Sequence, residues 1–138
     1  MQGDKPQASA SKGIILIVED NALNLKLLKV ILDFGGYSTV VTGLGAAALD
    51  LARLYHPNLI LLDIQLPDIS GVEAAQRLKA DEHTRTIPII AVTAFAMCGD
   101  RQKIIDSGCD DYISKPFNIH ALLALVQRYT DSIIGEIP

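Results

Sequence analysis

Reactive side chains recur in this chain directly after apolar runs. Glu19 and Asp20 follow GIILIV, Asp63 follows LILL, Thr93 and Ala94 follow IPIIAV, and Lys115 with Pro116 follows YIS. The run at residues 59–62 is the pattern of a strand buried on both faces, and an acid at the end of such a run needs a reason. Open parallel sheets bind ligands beyond the carboxyl ends of their strands. If these runs share a sheet, three acids, a hydroxyl and an ammonium meet on one rim. Two carboxylates about 5 Å apart repel by roughly 3 kcal/mol at an effective dielectric near 20, so three together require a cation or a shared proton. The strand ends offer oxygen donors and neither His nor Cys, a set that suits Mg²⁺ and disfavours zinc.

Each residue also has a plainer role. Asp63 could form a turn, and Glu19-Asp20 could cap the following helix, as Asn21 could equally well. Thr93 could be an ordinary β-branched strand residue and Lys115 a solvated charge. Their coincidence at the ends of four separate strands favours a joint role.

The elements that would position them alternate strictly. GIILIV (13–18) reads as a strand. LNLKLLKVILDF then shifts to helical spacing, with Leu23, Leu27, Leu28, Ile31 and Phe34 expected inside and Lys26, Lys29 and Asp33 outside, and Gly35-Gly36 ends it. YSTVV is a second strand, 46–55 an Ala-rich helix, 59–62 the third strand and 72–80 a helix. IPIIAV is the fourth strand, about 99–107 a weaker helix and YIS a short fifth strand. A last helix, 118–130, is capped by Asn118, with Ile119, Leu122, Leu123 and Val126 as its core stripe. Buried-type strands alternating with amphipathic helices specify an α/β fold with a parallel sheet covered on both faces. Ala121, Leu125 and Tyr129 widen the apolar character of the last helix and suggest a contact face.

A chain of 138 residues, 49% hydrophobic and 20% charged, suits one domain with a core large enough to need no disulfide or metal. Residues 1–12, polar and aperiodic, read as a disordered leader, 13–130 as the domain and 131–138 as a tail. The two cysteines, Cys98 and Cys109, form no C-x-x-C pair, and no signal segment opens the chain, so a reducing cytoplasm is expected. No run is long enough to span a membrane. A net charge of −4 without a basic cluster argues against direct nucleic-acid binding and for a protein partner. His56, His83 and His120 lack ligand spacing, and GLGAAA is no phosphate loop because no G-K-[ST] follows.

ILIVEDN, LILLDIQLPDISG, PIIAVTAFA and GCDDYISKPF, in this order and spacing, resemble the receiver domain of two-component response regulators, the CheY-like family, over residues 13 to about 130. VEDNALN and AVTAFAM are most similar to stand-alone receivers of the DivK type and to receivers attached to hybrid histidine kinases. The resemblance implies a (βα)5 flavodoxin-like sheet of strand order 2-1-3-4-5. It implies that Asp63 accepts a phosphoryl group from a phosphohistidine on a histidine kinase or phosphotransfer protein. Mg²⁺ would be held by Asp20, Asp63 and the backbone carbonyl of Gln65, with Glu19 acting through water. Thr93 and Lys115 would bind the phosphoryl oxygens, small Ala94 would leave the donor's approach open, and Lys115-Pro116 would be a cis peptide. Thr93 and Tyr112 would form the switch, altering a downstream protein-binding surface on helix 4, strand 5 and helix 5. Gln65 and Phe95 stand where the family modulates dephosphorylation. Two rivals remain: an Mg²⁺-dependent aspartyl-phosphate phosphatase, weakened by Gln65 where a second acid is usual, and a docking module that keeps only the fold.

Overall fold

The computed structural model describes residues 11–94 and 98–135, apart from the side chains of 98–100 and 132–135. Five strands, β1 (Ile14–Val18), β2 (Ser38–Thr42), β3 (Leu59–Asp63), β4 (Ile89–Thr93) and β5 (Asp111–Ser114), alternate with helices α1 (Ala22–Phe34), α2 (Gly45–Tyr55), α3 (Gly71–Ala80), α4 (Cys98–Asp106) and α5 (Ile119–Gly135). The sheet is parallel, in the order β2-β1-β3-β4-β5. This is the expected order, and it turns about β1 and β3, the two strands that end in acids.

Strand alternation divides the core in two. Leu16, Val18, Ile60, Leu62, Ile89 and Ala91 point to the face covered by α2, α3 and α4, where small residues (Ala48, Ala52, Ala74, Ala75) let the helices approach closely. Ile15, Ile17, Leu59, Leu61, Ile90 and Val92 point to the face covered by α1 and α5. Leu59 to Leu62 are no more than 1% exposed. At about 1.5–3 kcal/mol for each such side chain, β3 is among the most firmly held parts of the sheet.

The expected inner face of α1 is right at Leu28 and Ile31 and wrong at Leu23, Leu27 and Phe34. Leu25, Leu28, Ile31 and Leu32 face the sheet and α5, while Leu23, Leu27, Val30 and Phe34 are exposed, Leu23 at 74% and Phe34 at 85%. The helix carries two apolar stripes, and burial selects the one that meets Leu122 and Val126 of α5. Ile119, also expected in the core, is 49% exposed. α5 continues to Gly135, past the expected start of a tail, because neither Pro nor Gly intervenes. Of the expected leader, residues 1–10 lie outside the described residues. Ser11 and Lys12 are tied to the domain, Lys12 N donating to Gly36 O at 2.9 Å and Ser38 Oγ to Ser11 Oγ at 3.0 Å.

Candidate functional site

The strand register builds the site. Val18 pairs with Leu62, so Glu19 comes level with Asp63. Asp63 pairs with Val92, which sets Thr93 one step beyond it on the neighbouring strand. Thr93 pairs with Ser114, and Lys115 N donates to Thr93 O at 2.8 Å, bringing Lys115 to the same rim. The peptide between Lys115 and Pro116 is cis. Glu19, Asp20 and Asp63 each offer a carboxylate oxygen within 4.8 Å of the others. Lys115 Nζ lies 3.1 Å from Glu19 Oε1 and 3.2 Å from Asp63 Oδ2.

Surrounding amides fix the acids. Asp63 Oδ1 accepts from Gln65 N at 3.0 Å, and Glu19 Oε2 from Asn21 N at 3.2 Å. Asn21, rather than either acid, caps α1, accepting from Asn24 N at 2.9 Å. Glu19 and Asp63 are buried, and Asp20 is exposed. Burial, reinforced by the Asp63 carboxyl, raises the Glu19 pKa above the usual carboxylate range against the opposing pull of Lys115. Burial alone would lower the pKa of the Lys115 ammonium, but Glu19 and Asp63 together outweigh it and the net shift is upward.

One lysine does not satisfy this cluster. Glu19 Oε1 is buried and receives no hydrogen bond, although the ammonium approaches to ion-pair distance. An orphaned buried carboxylate oxygen beside two further carboxylates is a donor set that fits a hard divalent cation. Thr93 is buried beside the site, and Ala94, the next residue, is exposed. Phe95 lies outside the described residues.

The model of the response regulator receiver domain matches residues 15–127. The chain belongs to the receiver domain family of two-component response regulators. The polar-differentiation response regulator DivK of Brucella ovis is 51% identical over 115 residues, covering 83% of this chain and 94% of that protein. Among solved structures, the receiver domain of a Pseudomonas aeruginosa sensor histidine kinase, with a magnesium ion coordinated in its active-site cleft, is 35% identical. Its TM-score is 0.82, with 86% of this chain and 98% of that one covered. A CheY-like receiver from Methanospirillum hungatei is 31% identical at a TM-score of 0.81, covering 89% and 97%.

Away from the acids, this receiver's Tyr112 is half-buried on β5, against the core face shared with α4. The guanidinium of Arg101 on α4 stands 5.4 Å from the centroid of its ring. Between β5 and α5 a groove of about 380 Å³ is lined by residues including Tyr112, Ala121, Leu125 and Arg128. Sequence reasoning missed Arg101, the outward stripe of α1, and Asp68, which caps α2 from a distant loop. Asp68 left a faint signal, since Leu44 stands where α2 should have a capping side chain. Among the described residues, no helix is long and apolar enough to cross a membrane.

Proposed function

We propose that the chain is the phosphoacceptor switch of a two-component phosphorelay. Asp63 takes a phosphoryl group from a phosphohistidine on a partner protein. An Asp63 carboxylate oxygen forms the O–P bond as the donor's N–P bond breaks, and the bonding pair leaves with the imidazole nitrogen, which takes up a proton from solvent. Asp20, Asp63 and the Gln65 carbonyl would hold Mg²⁺ directly and Glu19 through water. Bound there, the ion neutralises charge spreading over the transferring phosphoryl oxygens. Lys115 adds a compact positive charge on the other side, and Thr93 offers a hydroxyl to the phosphoryl oxygens. The observation that carries this reading is the convergence of three carboxylates within 4.8 Å beside a lysine at ion-pair distance. The magnesium ion in the related Pseudomonas receiver supports the choice of metal.

A protein donor, rather than a small phosphate ester, is favoured by the exposed stripe of α1. Leu23, Leu27, Val30 and Phe34 recur at spacings of four and three, which is the seam an α-helical partner would fill. The stripe begins three residues after Asp20, so a helical protein docked on it can present its histidine to Asp63. Output follows from the second face. A phosphoryl group on Asp63 gives Thr93 a new partner, Tyr112 turns inward, and the β5–α5 groove changes shape for a downstream protein. The two arrangements must pre-exist, with phosphate biasing between them.

Incubation with acetyl phosphate or a phosphohistidine protein should place one phosphoryl group on Asp63, dependent on Mg²⁺. Catalytic turnover of a small phosphomonoester would instead support an aspartyl-phosphate phosphatase, for which Gln65 is a poor acid. Partner binding unchanged by Asp63→Asn and by Mg²⁺ would support a phosphate-independent docking module.

A further inference from the structure

The N-terminus of α2 is capped from outside its own sequence. Leu44 holds the N-cap position in an extended conformation, and its side chain has no oxygen to offer. The first helical amides, Gly45 N and Ala46 N, instead donate to the two carboxylate oxygens of Asp68, at 2.9 and 2.8 Å. Asp68 belongs to the loop between β3 and α3, five residues after Asp63. It therefore joins the positive end of the α2 dipole to the segment that carries Gln65.

That loop is held at further points. Gly71 N donates to Ile64 O at 2.8 Å and closes its base. A Cβ on Gly71 would stand 2.3 Å from Asp63 O, so only glycine lets the two ends approach. Ile69 and Leu66 pack so closely on Gly45 that a Cβ there would stand 2.8 Å from Ile69 Cγ1 and 3.0 Å from Leu66 Cδ1. Apolar contacts of this kind set distance but little direction. Two charge-assisted hydrogen bonds from one carboxylate set both.

We propose that Asp68 is a positioning residue for the metal site: by capping α2 from the β3–α3 loop, it holds the loop in the conformation that aims the Gln65 carbonyl. The inference rests on the metal reading given above. Groups that orient ligands from outside the coordination sphere typically change metal affinity by about 10–100-fold, and Asp68, one step further out, belongs at the lower end.

A plain helix cap would lose stability on truncation without any specific effect on metal, and the two roles separate in a double variant. Asp68→Ala should lower Tm and weaken Mg²⁺ binding by about tenfold, read by calorimetric titration of the unphosphorylated protein. Adding Leu44→Ser supplies a local cap and should restore Tm. Serine is chosen over aspartate because Gly43 adjoins Asp20, where a Cβ would lie 3.4 Å from the Asp20 Cα, and a new charge there would perturb the metal site directly. In the double variant Mg²⁺ affinity should stay weak, because the loop is still untied. Asp68→Asn, which keeps one acceptor, should fall between wild type and Asp68→Ala, and serves if the alanine variant does not fold. Recovery of Mg²⁺ affinity together with Tm in the double variant would overturn the positioning role and leave Asp68 a cap. A wild-type protein that does not bind Mg²⁺ would overturn the metal reading itself, and this inference with it.

Discussion

Arg101 on α4 holds Tyr112 on β5 in two ways: its guanidinium faces the ring at 5.4 Å from the centroid, and its Nε donates to the phenolic oxygen. Both contacts tie the half-buried aromatic to α4. If Tyr112 turns inward on phosphorylation, as proposed above, both contacts would have to break, and Arg101 would set part of the bias between the two arrangements.

Removing the latch should therefore favour the activated arrangement before any phosphate arrives. A cation–π contact at an exposed site and one hydrogen bond are together worth about 1–2 kcal/mol, or roughly a five- to thirtyfold change in the ratio of the two states. In Arg101→Ala the side-chain NMR signals of Tyr112 should move part of the way toward those of the beryllofluoride-treated wild type. Signals identical to the untreated wild type would remove Arg101 from the switch.

Asp63→Asn should abolish phosphoryl uptake while leaving a folded protein. The amide retains an oxygen for Gln65 N, Lys115 keeps Glu19 as a partner, and one member of a repelling carboxylate group is gone. In metal-free buffer the variant's Tm should equal or exceed that of wild type. Mg²⁺ should raise the Tm of the wild type by binding the native state and have much less effect on the variant. A variant that melts far below wild type without metal would mean that the Lys115–Asp63 pair outweighs the repulsion.

The tie between Asp68 and α2 should show itself in acid. The amide of Ala46, chiefly, with those of Gly45 and Ile69, holds the Asp68 carboxyl below the usual range despite a smaller upward pull from desolvation. Its folded value thus lies below its unfolded one. The stability it contributes is complete above the usual carboxylate range, near pH 4, and is lost as pH falls through the lower folded value. The difference in Tm between wild type and Asp68→Ala should be constant from about pH 7 to about pH 5 and close below about pH 4. A gap that persists unchanged in more acid solution would mean that the carboxylate's charge contributes nothing to the cap.

Strands and acids were legible because burial on both faces writes itself as uninterrupted Leu-Ile-Val runs, and the residues ending those runs fall on one rim whatever the helices do. The phase of α1 was legible only in part: Leu28 and Ile31 were placed correctly, and Leu23, Leu27 and Phe34 were not. ALNLKLLKVILDF holds two apolar stripes at helical spacing, and periodicity cannot say which meets Val126. Asp68 escaped for a related reason. Capping is sought in the residue before a helix, and here the cap lies 23 residues away in sequence from Gly45, visible only once β3 brings its loop against α2. Arg101 and Tyr112 meet only through the packing of α4 beside β5.

If the outward stripe of α1 docks the donor, as proposed, its substitution should separate protein donors from small ones. Phe34 and Leu23 are 85% and 74% exposed, so Phe34→Ser or Leu23→Ser should leave Tm close to wild type. Acetyl phosphate needs no docking face, and its labelling of Asp63 should stay within about twofold. Transfer from a phosphohistidine protein should fall by about tenfold or more, since an aromatic anchor in a helix-on-helix interface commonly carries more than about 1 kcal/mol. Equal losses with both donors would place the defect in the site itself, and no loss with the protein donor would show that docking uses another surface.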